Sequence, residues 1–158
     1  MSNASEKAFA LFEGAVGEIE GTGDWFEVVQ TDIDRFADVT HDHQFIHVDP
    51  QACKEMSPWG VPIAHGFLTL SMLTHLASSI PQDRERFEGV VMGVNYGFDK
   101  VRFISPVKVN SRIRATSVLK SAELKGDAIN ATRSFTVEIE DEEKPALIAD
   151  WITRIVYG

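Results

Sequence analysis

From Met56 to Gln82 the chain carries no Asp, Glu, Lys or Arg. Within that span Phe67, Leu68, Leu70, Met72, Leu73, Leu76, Ala77 and Ile80 fall on all sides of a helix. A helix that is apolar all round is either buried or membrane-spanning. From Gly66 to Ile80 it would run about 22 Å at 1.5 Å per residue, short of a bilayer core. Thr69, Ser71, Thr74, His75 and Ser78 lie between the apolar positions. The pattern therefore predicts a buried central helix.

The rest of the chain reads mostly as strands that could cover it. Ile129 to Ile139 alternates, with Ile129, Ala131, Phe135, Val137 and Ile139 on one face. Arg133 interrupts that face, which marks a strand end, a bulge or a polar pocket. Leu147, Ala149, Trp151, Ile155 and Tyr157 repeat the alternation. Val90 to Phe103 and Val107 to Leu119 are two further strand regions, and Trp25 to Val29 is a first one, after Gly21 and Gly23. Lys125-Gly126-Asp127 and the charged run Glu140 to Lys144 before Pro145 are the expected hairpin turns. Thr31 is expected to open a short helix with a capping-box-like Thr31-x-x-Asp34, ending near Thr40 and leaving 42–47 in a loop. Pro50 starts another short helix, and Pro58, Gly60 and Pro62 hold an irregular arm before the long one. One long helix followed by consecutive antiparallel strands, without repeats or linker, predicts a single α+β domain over residues 1–158.

Composition narrows the class. The chain has 158 residues, enough for a sizeable core, with 44% hydrophobic and 25% charged residues. The single cysteine, Cys53, rules out an internal disulfide framework and fits a reducing cytoplasm, and packing is its expected role. No signal-peptide-like segment opens the chain, and Ser2-Asn3-Ala4 has the look of an expression remnant. A net charge of −9 argues against nucleic acid or an anionic membrane as partner. Between Lys100 and Ala122, however, Lys100, Arg102, Lys108, Arg112, Arg114 and Lys120 occur with no acid among them. That run is either a solvated strand face or a receiver for phosphate groups.

The chemistry concentrates in Asp42-His43-Gln44-Phe45-Ile46-His47 and, after a gap, Ala64-His65-Gly66-Phe67. A carboxylate and an imidazole five residues apart can hold one water between them, as adding or removing water requires. A helix opening at Gly66 offers free backbone N–H groups to a carbonyl oxygen that gains negative charge.

Phe36 to Pro50, with Ala52 and then Ile63-Ala64-His65-Gly66-Phe67-Leu68, resembles the MaoC-like dehydratases, which include R-specific enoyl-CoA hydratases and a nodulation-protein-N-like branch. Met92 to Gly97 and Val101-Arg102-Phe103 extend the likeness. His41 stands where the family signature has Gly, and Gln44-Phe45 replaces Asn-Pro, as in the nodulation-like branch. The resemblance implies a hot-dog fold, a homodimer, and reversible hydration of a trans-2-enoyl thioester to the (R)-3-hydroxyacyl thioester. It maps the catalytic Asp onto Asp42, the catalytic His onto His47 and the oxyanion donor onto the Gly66 N–H, with Thr74 near a hydroxyl that orients the Asp. The expected roles are Asp42 as proton acceptor and His47 as the donor toward C2. His65 packs or caps beside the substrate, Asn95 lines the acyl pocket or pairs across the sheet, and Lys100 and Arg102 are candidates for phosphate contact. The substrate is an acyl-CoA or acyl-carrier thioester, and no metal or other cofactor is called for.

Two other classes stay open on the residues alone. His41, His43 and His47 with Asp42 and Asp49 could suggest a metal site, although no histidine follows His75 to complete it from the later strands. A non-catalytic acyl-thioester-binding protein or a thioesterase would share the fold, because fold does not fix function.

Overall fold

A computed structural model describing residues 3–158 shows one antiparallel sheet with helices packed against it. In chain order the elements are α1 (Asn3–Gly14), β1 (Ile19–Thr22), β2 (Phe26–Glu27), α2 (Gln30–Thr40), α3 (Phe45–Val48), α4 (Pro50–Met56), α5 (Gly66–Ser71), α6 (Leu73–Ser78), a single 3₁₀ turn at Arg84–Phe87, β3 (Val90–Phe103), β4 (Arg112–Lys125), β5 (Ala128–Ile139) and β6 (Leu147–Tyr157). The strand order is β1-β4-β5-β6-β3, with β2 also pairing to β4.

The alternation read along β5 and β6 sets which face meets the helices. Ile129, Ala131, Phe135, Val137 and Ile139 are buried, as are Leu147, Ala149, Trp151, Ile155 and Tyr157. Gly126-Asp127 forms the β4–β5 turn, with Lys125 opposite Ala128. The strand expected from Val107 starts later, at Arg112; Val107 itself is buried in the segment that meets the irregular arm. There Ala64 N–H donates to the Val107 carbonyl (2.7 Å) and Val109 N–H to the Pro62 carbonyl (2.9 Å). The first strand region, in turn, is two short pieces, β1 and β2.

The apolar run from Gly66 is a helical rod with an irregularity at Met72, where ψ is −11° and one N–H faces both the Leu68 and Leu70 carbonyls. Leu68, Leu73, Leu76 and Ile80 bury one side against Phe135, Val137, Leu147, Ala149 and Trp151. Burial all round is not what the chain does: Phe67, Ser71, Thr74, His75 and Ser78 are exposed. A rod lying on one face of a sheet has only one side to bury, so the wide apolar coverage leaves Phe67 outward, edge-on to Phe103 at 6.1 Å. His75, on the same exposed side, packs edge-to-face with Phe26 at 5.0 Å.

Two further differences are local. The capping box at Thr31 does not form; α2 starts at Gln30, and its cap Val29 has no side-chain bond to offer. Residues 45–48 coil into α3, so the loop is shorter than expected. Helix α1 was not foreseen. Ala8, Phe12 and Ala15 of its face and the turn after it pack on Leu119, Ile129, Ala131, Ile155 and Tyr157, a second apolar cluster beyond the end of α6. Asn3 and Ala4 belong to this helix, and Ser2 lies outside the described residues.

Gly23 lets the β1–β2 connection lie against α6. A Cβ there would sit 2.6 Å from the Leu76 carbonyl oxygen and 2.5 Å from Ser79 Oγ, which holds the Asp24 N–H at 2.8 Å. Gly23→Ala should therefore destabilise the fold by about 1–3 kcal/mol, the usual range for overpacking. Urea unfolding monitored by far-UV circular dichroism reads this directly, and an unchanged midpoint would refute the close packing.

Candidate active site

Helix α2 ends at His41, which takes the left-handed conformation (φ 62°, ψ 23°) in which a glycine is cheapest. The backbone thus keeps the geometry the glycine signature calls for while carrying a side chain, and it turns sharply into Asp42. The His65 Nε2–H donates to the Asp42 carbonyl at 2.9 Å and pins this turn. His65 is buried and tilts against Phe36 at 5.0 Å, which ties the aromatic of the signature to the helix start.

His47 is buried on α3. Its Nδ1–H donates to the Ile63 carbonyl at 2.7 Å, and its own carbonyl accepts from Gln30 Nε2 at 2.7 Å. The imidazoles of His47 and His65 stack 3.8 Å apart at 24°. Burial lowers the His47 pKa below its usual value of 6.5, with the neighbouring His65 adding to the drop, against opposing effects of the Ile63 bond and the Asp42 charge. A neutral His47 whose Nδ1–H is committed to Ile63 presents a bare Nε2. One oxygen of Asp42 and one ring nitrogen each of His47 and His65 lie within 4.8 Å of one another, a span that one water can bridge. The Asp42 side chain is exposed, and among the described residues its one hydrogen bond is a long one from Gln44 N–H at 3.4 Å.

His47 and Gly66 line one cavity of about 370 Å³ together with Ile63, Thr69, Phe103 and Val107. Gly66 opens α5, and a Cβ on it would press on the Phe103 ring at 3.0 Å, so a side chain there would crowd the cavity wall. A second, larger cavity of about 620 Å³ lies further along the same rod. Ala77, Ile80, Phe87, Phe135, Trp151 and Ile155 supply its apolar wall, and Glu20, Arg86 and Arg133 its charged side.

The other expected residues fall in different places. Thr74 is exposed and lines the second cavity, not the Asp42 turn; eight residues separate it from Gly66, about 12 Å of helix. The hydroxyl residue beside Gly66 is Thr69, buried in the first cavity. Its signal was available, since i and i+3 share a helix face. Asn95 pairs across the sheet, accepting from Trp151 Nε1 at 2.8 Å, and lines neither cavity. Of the basic run, Arg112 pairs with Glu140 at 2.9 Å, Arg114 with Glu138 and Lys120 with Asp150 at 2.6 Å. The Lys120 bond holds the Asp150 carboxyl below its usual range. Lys100, Arg102 and Lys108 are exposed, and Arg102 and Lys108 adjoin the cavity residues Phe103 and Val107 in the chain.

The histidine-rich metal patch does not assemble as expected. His43 is exposed and pairs with Asp38 at 2.8 Å, and Asp49 caps α4 through the Ala52 N–H. The one group of metal-capable side chains among the described residues is Asp42, His47 and His65. Cys53 is buried, its thiol 3.3 Å from the Phe45 carbonyl, and burial pushes its pKa up, so packing is its role.

A helix packed on one antiparallel sheet of this topology defines a hot-dog fold. The family model of the MaoC like domain matches residues 12–141, and the chain belongs to that MaoC-like family. It is 48% identical over 154 residues to a nodulation protein N of Rhizobium leguminosarum bv. viciae, covering 96% of this chain and 93% of the relative. To 3-hydroxyacyl-thioester dehydratase Z of Mycobacterium tuberculosis (strain ATCC 25618 / H37Rv) it is 46% identical over 151 residues, covering 95% and 97%. The X-ray structure of a monoamine oxidase regulatory protein from Archaeoglobus fulgius superposes with a TM-score of 0.71 at 26% identity, covering 90% of this chain and 91% of that one. Among the described residues no helix is long and apolar enough to cross a membrane.

The burial of His47 has a measurable consequence. As pH falls below 6.5 the unfolded chain takes the proton before the folded one. The stability that neutral His47 contributes is complete above that value and is lost as pH falls toward the lowered one. An NMR titration of the His47 ring should give a midpoint below 6.5, and a midpoint above it would overturn the neutral assignment.

Proposed function

We propose that the protein is a hydro-lyase acting reversibly on a trans-2-enoyl thioester and its (R)-3-hydroxyacyl counterpart. The observation that carries this reading is the shared cavity of His47 and Gly66, with an Asp42 oxygen within 4.8 Å of the imidazole. The mycobacterial relative, named a 3-hydroxyacyl-thioester dehydratase, supports the same direction of chemistry.

The geometry suggests how the step runs. The thioester carbonyl accepts the Gly66 N–H, which stabilises the enolate formed on attack at C3. A water donates one hydrogen to the Asp42 carboxylate and the other to His47 Nε2, leaving its lone pair aimed at C3. The hydrogen bond to Ile63 reverses part of the expected roles: the only N–H of neutral His47 is already committed, so His47 can donate only after accepting. It therefore takes the water's proton as the C–O bond forms and returns a proton to C2, while the Asp42 charge stabilises the transient imidazolium. His65 positions Asp42 through its carbonyl. No metal or separate cofactor enters the step. Residues 1–158 act as one domain, and the larger cavity along the rod receives the acyl chain.

The same reading covers assembly and the thioester's carrier. Strand β3 is an edge of fourteen residues with Val91, Met92, Val94, Tyr96 and Phe98 exposed, a surface that invites pairing with a second copy. We read the protein as a homodimer, with Lys100, Arg102 and Lys108 receiving the phosphates of CoA or of an acyl-carrier group. The presence of both Asp42 and His47 favours a hydro-lyase over a thioesterase or a non-catalytic binder.

Asp42→Asn and His47→Gln should each lower crotonyl-CoA hydration at least roughly a hundredfold, the usual effect of one acid–base group. Near-normal hydration in Asp42→Asn would end the mechanism, and loss of wild-type activity on chelation, restored by zinc, would move Asp42, His47 and His65 to a metal-bound role. For assembly, Val94→Asp should shift the species measured by light scattering from dimer to monomer; a wild-type monomer would refute the pairing.

A further inference from the structure

Glu20, from β1, lies almost wholly buried in the wall of the larger cavity. It accepts from Arg133 Nε at 2.7 Å, from Ser117 Oγ at 2.8 Å and from Arg86 Nη1 at 3.2 Å. Both guanidiniums lie over the Phe12 ring, at 5.5 and 5.7 Å. Two arginines with side chains only 12% and 14% exposed, set beside an apolar wall, are costly unless their donors are used. Among the described residues no hydrogen bond uses Nη2 of either, and Arg86 Nε is buried without one, its nearest carboxylate oxygen on Asp83 being 3.3 Å away and poorly aligned. Donors are therefore in excess over acceptors at the charged side of the cavity. Positive charge is not in excess, because Glu20 and Asp83 balance the two arginines and Glu18 also lines the cavity.

From these facts we infer that the acyl group bound here carries a neutral oxygen, a hydroxyl or carbonyl, on its distal part, which accepts from Arg133 and Arg86. A plain alkyl chain would leave those donors unmet. A distal carboxylate would add an unbalanced charge to a neutral cluster. Arg133 and Arg86 are thus specificity-determining residues at the far end of the chain's path, about 12 to 17 Å along the rod from Gly66 by helical rise. This inference rests on the acyl-thioester reading of the site.

The test compares decenoyl- and dodecenoyl-CoA with their ω-hydroxy, ω-oxo and ω-carboxy counterparts in one hydration assay. The wild type should favour the hydroxy or oxo chain over the plain chain of equal length by tenfold or more in kcat/KM. In Glu20→Gln/Arg133→Met, which removes both charges together with the Arg133 donors and leaves Arg86, that ratio should fall several-fold. A plain or carboxylated chain that is preferred, or a ratio the double variant leaves intact, overturns the proposal. Trp151 lines the cavity and gives a readout free of turnover. Its fluorescence should respond to ω-hydroxydecanoate at least tenfold more tightly than to decanoate, and equal affinities also overturn the proposal. Failure of crotonyl-CoA hydration alone would fault the catalytic reading and leave the fluorescence comparison to decide this one.

Discussion

The hydrogen bond from His47 Nδ1 to the Ile63 carbonyl organises the site. It joins α3 to the irregular arm before α5, two segments sixteen residues apart with only the short helix α4 between them. It also fixes the tautomer, so that the nitrogen left bare is Nε2. The arm carrying Ile63 is anchored in turn by backbone bonds from Ala64 to Val107 and from Val109 to Pro62. His65, two residues on, holds the Asp42 carbonyl from the same arm. Asp42, His47 and the helix start are therefore positioned by one short stretch of backbone, and the sheet enters only by anchoring that stretch.

The rod α5–α6 places two cavities of different character in series. The first is the smaller and is lined by His47 and Gly66. The second is wider, mostly apolar, and has a neutral cluster of four charged groups in its wall. Burying such a cluster contributes little net stability compared with apolar packing, so its place facing open space rather than packed core is what gives it meaning. The same arginine that broke the alternation of β5 is its centre.

Much of the fold could be read from the chain. The period-two alternation of β5 and β6 marked their buried faces residue by residue, because a strand that meets helices on one side exposes the other. The helix that packs on them was visible as a charge-free run, and the Asp–His spacing with the downstream His-Gly pair marked the region of the site. Helix α1 was not legible: its apolar face is short, and what it covers, Leu119, Ile129 and Ile155, comes from three strands far along the chain.

Local signals determined which segments become helix and strand, where the turns fall, and that Asp42, His47 and Gly66 lie in one neighbourhood. Tertiary structure decided what each could do. It turned His41 into a left-handed cap, gave the His47 N–H to Ile63, and took Thr74 to a different cavity from His47 and Gly66. It neutralised Arg112, Arg114 and Lys120 with acids from neighbouring strands. The reason is physical: periodicity is fixed by the backbone of a segment, whereas a side chain's partner and protonation depend on groups that only folding brings within a few ångströms.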